Sequence, residues 1–99
     1  MKVVYSRQAL ADLEQIADYY SSHASLSVAD SIQRRLVDVI ERIRSLPETA
    51  PRVLQRPDIR VITVRRYPFQ IFYRVRRDTI DVLRIRHTSR RPIDIERPE

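Results

Sequence analysis

The chain has 99 residues, with 18 arginines and a single lysine against 13 carboxylates, for a formal charge of +6; it contains neither cysteine nor glycine. That length makes one domain, residues 1–99, with a modest core that needs no staples, and the missing cysteine excludes disulfides and thiolate metal sites. No apolar run approaches the roughly 20 residues that cross a bilayer. The opening "MKVVYSRQALADLEQ" is too polar for a signal peptide, so the expectation is a soluble, cytoplasmic protein without membrane contact.

"KVVY" at residues 2–5 reads as a short strand. "SRQALADLEQIADYYSSH" reads as a helix, capped by Ser6 and striped by Leu10, Leu13, Ala17 and Tyr20 at spacings of three and four. Ser22, Ser25 and Ser27 mark a break. "SVADSIQRRLVDVIERIRSLP" is a second helix, with Ser27 and Asp30 resembling a capping box. Ala29, Ile32, Leu36, Val39, Ile40, Ile43 and Leu46 form its stripe, and Pro47 ends it. So short a connection predicts an antiparallel helical hairpin. "PETAPRVLQRPD" is a loop with three prolines.

From Ile59 the period changes to two. "IRVITV", "YPFQIFYRV" and "TIDVLRIRH" are three strands, with a turn near Arg77-Asp78, where Asp78 is the expected left-handed residue. After His87, residues 88–99 read as a loose tail. The fold class is therefore α+β: a helical hairpin on one face of a small antiparallel sheet, in the order β-α-α-β-β-β. A turn at Arg77-Asp78 sets Val75 against Ile80, Tyr73 against Val82 and Arg74 against Asp81. It also sets Phe72 against Leu83, puts Gln70 beside Ile85, and brings Phe69 near Arg86. That register leaves Phe72, Leu83 and Ile85 on the face away from the helices, as an apolar patch among arginines that a partner protein would cover.

The charge is unevenly spread. Residues 1–51 carry a net −1, residues 52–91 a net +9 with 12 arginines, and residues 92–99 a net −2. A basic second half built from arginine alone points to a polyanionic or acidic partner, because the guanidinium fork binds phosphate and carboxylate bidentately. There is no glycine-rich phosphate loop, metal-ligand cluster or nucleotide fingerprint, so no cofactor is expected. Ser89 has no evident base or oxyanion partner.

"YSRQALADLEQIADYY" and "FQIFYRVRRDTIDVLRIRHTSRR" together resemble the RelE/ParE superfamily of toxins from bacterial type II toxin–antitoxin systems. The second stretch carries an aromatic strand, a turn and an "LRIxH"-like strand end. The resemblance spans nearly the whole chain. It implies a small basic toxin neutralised by a cognate antitoxin that lays a helix on the helical hairpin; Leu13, Ala17, Tyr20, Phe72 and Leu83 are the expected contacts. Operator DNA would be met only through the antitoxin complex.

The superfamily divides between gyrase poisons and ribosome-dependent mRNA endonucleases, and a shared fold does not choose between them. Metal-free RNA cleavage needs a general base, a general acid and cations around the phosphorane. Where RelE-type ribonucleases carry an arginine in the aromatic strand, this chain has Gln70, which counts against cleavage. His87 and Arg90, with Arg74 and a weakly matching Glu48, make a partial ribonuclease set. His87 reads more readily as a structural group that hydrogen-bonds the chain at the strand end. The preferred expectation is a ParE-like inhibitor of DNA gyrase with an active surface of Arg74, Arg84, Arg86, Arg90 and Arg91. The alternatives are a RelE-like mRNA endonuclease and an inactive homologue acting with its antitoxin as a co-repressor.

Overall fold

A computed structural model of the chain describes residues 1–88. The elements are β1 (Lys2–Tyr5), α1 (Arg7–His23), α2 (Leu26–Ser45), β2 (Arg52–Val53), β3 (Arg56–Thr63), β4 (Phe69–Val75) and β5 (Thr79–His87). They form five strands in the order β1-β5-β4-β3-β2 with the helical hairpin packed on one face. This is the expected β-α-α-β-β-β order with the two-residue β2 added inside the proline loop. The sheet is mixed, not purely antiparallel, because β1 runs parallel to β5.

Local chemistry explains the helix ends. Ser6 caps α1, its Oγ accepting from the Ala9 N–H at 2.9 Å. Helix α2 starts earlier than expected: Ser25, not Ser27, is the cap and accepts from the Val28 N–H at 3.1 Å. Asp30 serves no capping box, and ion-pairs with Arg34 one turn on. The stripe of α2 is buried as expected from Ala29 to Ile43, while Leu46 falls just past the helix and is exposed. Each fully buried side chain such as Ile32, Leu36 or Ile40 contributes about 1.5–3 kcal/mol.

Helix α1 is turned by about one position from the expected stripe. Leu10 is 54 % exposed, whereas Ala9 and Asp12 are buried and Leu13, Ile16 and Tyr20 pack partly buried on the core. Amphipathic counting missed this because the most buried polar position of the helix is a carboxylate.

The β4–β5 hairpin departs from simple alternation. Val75↔Ile80, Arg74↔Asp81 and Tyr73↔Val82 pair as expected, but the register then shifts and Phe72 pairs with Arg84, Ile71 with Ile85, Gln70 with Arg86 and Phe69 with His87. Leu83 is the extra residue of a β-bulge, which changes the face of everything after it. Ile85 therefore joins Ile80 and Val82 in the core. Phe72 remains outside that core cluster but is only 6 % exposed in the isolated chain, and Leu83 is half-buried. The expected exposed patch of Phe72, Leu83 and Ile85 is absent.

Asp78 is not in the left-handed region. Among the described residues that conformation falls on Arg66, at φ 80°, in the β3–β4 turn. A residue with a Cβ loses about 1–2 kcal/mol there. Arg66→Gly is expected to raise the urea unfolding free energy by up to about 1 kcal/mol, less than the full strain because glycine also gains freedom when unfolded. An unchanged or lowered midpoint would show that the turn holds arginine without strain.

Candidate functional site

Strand β1 pairs with β5 only as far as Tyr5↔Val82. Beyond that point the outer edge of β5 needs other partners, since buried N–H and C=O groups are costly unpaired. Helix α1 supplies them. The Ser6 N–H donates to the Val82 carbonyl at 2.9 Å, and the Ser6 hydroxyl donates to the Leu83 carbonyl at 2.8 Å. Nearly two turns on, Asp12 Oδ2 accepts from the Ile85 N–H at 2.8 Å and from Arg84 Nε at 3.0 Å, while Oδ1 accepts from Arg84 Nη2 at 3.3 Å. The pair is deeply buried, with side chains 8 % exposed for Asp12 and 13 % for Arg84. It clamps the bulge to α1.

The clamp forms part of the wall of a cleft of about 380 Å³ between α1 and the end of β5, lined by Ile16, Tyr19, Tyr20, Arg84, Arg86 and His87 among others. Its rings form a chain. His23 stacks on Tyr19 at 4.2 Å, Tyr19 meets Tyr20 edge-on at 5.0 Å, Tyr20 meets Phe69 at 6.1 Å and Phe69 meets His87 at 5.4 Å. His23 also contacts the Tyr19 carbonyl through Nδ1 at 2.9 Å, as expected at a helix end.

The structure thus gathers Arg84, Arg86, His87 and Tyr20 in one place. It does not gather the rest. Arg74 lies at the other end of the sheet, 3.7 Å from Asp58 and 3.9 Å from Asp81. Arg90 and Arg91, and with them the expected tail apart from Thr88, lie outside the described residues. Glu48 sits in the loop latched by Tyr73, whose hydroxyl donates to the Pro47 carbonyl at 2.8 Å, and by Arg60, which donates to the Glu48 carbonyl at 3.0 Å. Tyr73 and Phe69 are four residues apart on β4, and Phe69 pairs with His87. The rise of a strand therefore puts the rows of Tyr73 and His87 about 13 Å apart along the sheet. Leu13, Ala17 and Tyr20 are half-buried beneath the hairpin, while Leu10, Tyr19, Leu26, Val28 and Val37 expose its apolar side chains.

Asp12 was missed by sequence reasoning. An acid inside an otherwise apolar helical stripe is its signal. Arg65 and Arg66 were not among the arginines expected on the active surface, and the sheet register brings their loop to the same end as Arg86. Among the described residues no three His, Asp or Glu side chains gather as metal ligands would. No described helix is long and apolar enough to cross a membrane.

At the end of the sheet remote from the cleft, Asp58 takes contacts from Arg56 at 3.5 Å and from Arg74. Partial desolvation pushes the Asp58 carboxyl up, but its backbone hydrogen bond and the two arginines outweigh that and hold it below the usual range. A depressed carboxyl contributes stability above its unfolded pKa and loses it as the pH falls through the folded value. Urea midpoints are therefore expected to drop below pH about 4, and less steeply in Asp58→Asn. Identical acid limbs in the two proteins would refute the assignment.

A model of the family described as the ParE toxin of type II toxin–antitoxin systems, parDE, matches residues 3–92. The chain belongs to the ParE toxin family. Among solved structures it is similar to the chromosomal ParDE toxin–antitoxin system of P. aeruginosa, with 28 % identity and a TM-score of 0.80 over 90 % of this chain and 97 % of that one. It shares its fold with a YoeB/ParE toxin from Agrobacterium tumefaciens, at 15 % identity and a TM-score of 0.64 over 88 % and 98 % of the chains. The isolated E. coli RelE toxin also has this fold, at 18 % identity and a TM-score of 0.55 over 91 % and 86 %. No curated protein matches the chain. For a ParE-family toxin, the helical hairpin on a mixed sheet is the expected architecture.

Proposed function

We propose that this ParE-family chain is the toxic component of a cytoplasmic toxin–antitoxin module and that it inhibits DNA gyrase by binding, without covalent chemistry. The observation that carries this reading is the ParE family match over residues 3–92. One feature of the site supports it. Gln70 stands where a ribonuclease of the superfamily would place a cation, and a neutral amide stabilises a phosphorane less well than arginine.

The toxin surface lies around the cleft end of β5. Arg84 is neutralised internally by Asp12, and Arg74 by its aspartates, which leaves Arg86, with Arg90 and Arg91 following it in the chain. A cognate antitoxin is the expected protein partner, as the ParDE and RelBE complexes are two-component assemblies. The exposed apolar side chains of the helical hairpin are its natural seat, with the half-buried Leu13, Ala17 and Tyr20 beside them; Phe72, 6 % exposed, is not open to such a contact.

The test is supercoiling of relaxed plasmid by gyrase in the presence of antitoxin-free toxin. Lost supercoiling or trapped cleaved DNA is expected, and unimpaired gyrase at saturating toxin would sink the reading. A second reading, mRNA cleavage on the ribosome, draws on His87 beside Arg84, Arg86 and Tyr20 in one cleft. It requires His87→Ala to abolish growth arrest while antitoxin binding persists. The gyrase reading expects arrest to survive that substitution.

A further inference from the structure

The two ends of the sheet balance their charge differently. Where β3 begins and β4 closes, Arg56, Arg74 and Arg76 each ion-pair with Asp58 or Asp81, at distances from 2.7 to 3.9 Å. At the opposite end the register sets Thr63, Gln70 and Arg86 in one row. The loop carrying Arg65 and Arg66 lies just beyond that row. It is held to the end of β5 by the Thr88 N–H donating to the Pro68 carbonyl at 2.7 Å.

Arg65 and Arg66 are exposed and Arg86 half-buried, and among the described residues none of the three ion-pairs with a carboxylate. The acid on the neighbouring helix, Asp12, is already engaged by Arg84. Arg66 is also the residue held at φ 80°. Strained backbone of this kind concentrates where a side chain is put to use.

We propose that Arg65, Arg66 and Arg86 form a phosphodiester-binding surface that grips the backbone of duplex DNA. Arginine is the side chain suited to this, because its planar fork meets two phosphate oxygens at once. Contacts of this type hold a protein on a duplex without reading its sequence. A single strand would call for rings displayed as a stacking platform. Here Tyr20 and Phe69 are packed edge-to-face on each other and, of the three rings, Tyr19 alone is exposed, with His23 stacked on one of its faces. The choice of DNA over other phosphodiesters rests on the gyrase reading, since gyrase works on duplex DNA.

The test is fluorescence anisotropy of a short labelled duplex of mixed sequence, titrated with antitoxin-free toxin across a salt series. Two double variants remove the same charge. R65A/R66G strips the surface and relieves the turn; R42A/R77A strips two exposed arginines elsewhere. Thermal melts confirm that both fold.

R65A/R66G is expected to lower affinity roughly tenfold near 0.1 M salt and to flatten the slope of log K against log salt by about 2. R42A/R77A should stay within about twofold of the unaltered chain. Equal losses in the two variants would mean that net charge alone drives binding, and would overturn the surface. Tighter binding of a single-stranded RNA of equal length, or of an acidic peptide, would overturn duplex DNA as its ligand. The assay contains no gyrase, so the two proposals fail separately. A toxin that binds DNA through these arginines yet spares gyrase sinks only the function proposed above.

Discussion

Asp12→Ala is expected to destabilise the fold by about 3–5 kcal/mol, the range for breaking a buried ion pair from one side. The carboxylate meets three demands at once. It neutralises Arg84, whose side chain is 13 % exposed, it accepts the Ile85 N–H at 2.8 Å, and it ties α1 to β5 at the bulge. Alanine takes the carboxylate acceptor away from a buried guanidinium and from a buried N–H that have both given up hydration. Urea unfolding measures the loss. Asp12→Asn separates the parts, because its amide oxygen still accepts the Ile85 N–H while the negative charge facing Arg84 is removed. It should fall between the native chain and Asp12→Ala. A double-mutant cycle with Arg84→Met isolates the pair, and a coupling near zero, or a loss below about 1 kcal/mol for Asp12→Ala, would show that the clamp is dispensable.

The same clamp shows where the sequence was legible and where it was not. The stripe from Ala29 to Ile43 specified α2 because its apolar spacing admits one buried face. The strands were legible from the change to period two. What alternation could not yield was the bulge at Leu83, which requires the partner strand and the edge beside it. A trace of it is present: Ile80 and Val82 are two apart, but the next core residue, Ile85, is three further on. That odd step is what a bulge does to a period of two.

The candidate site was legible in type but not in place. Arginines near the end of β5 stand out in the sequence, yet their roles depend on carboxylates far away in it. Arg84 is 72 residues from Asp12, and Arg74 is 16 from Asp58 and seven from Asp81. Charge counting treats all of them as equally free. Only the fold separates arginines that have been neutralised from those, such as Arg65, Arg66 and Arg86, that ion-pair with no carboxylate among the described residues.

Tyr73→Ala is expected to cost about 3–5 kcal/mol, as for other fully buried aromatic truncations. Tyr73 has no exposed surface, and its ring belongs to the core under α2. Its hydroxyl donates to the Pro47 carbonyl, so the ring also anchors the chain that leaves α2. Tyr73→Phe keeps the ring and removes the bond, and should cost only about 1 kcal/mol. The phenol adds a pH signature. Burial raises its pKa, opposed in part by Arg60. The sign follows from linkage: a folded pKa above the unfolded one gives stability that is complete below about pH 10 and is lost as the pH rises through the folded value. Tyr5 is raised as well, by burial and then by Glu41, so Tyr73→Phe should shrink the alkaline loss without abolishing it. Urea midpoints measured from neutral to strongly alkaline pH decide the matter. An alkaline limb as steep in Tyr73→Phe as in the native chain would mean that the hydroxyl is open to water, and that Arg60, which donates to the Ala50 carbonyl at 2.7 Å, holds the loop alone.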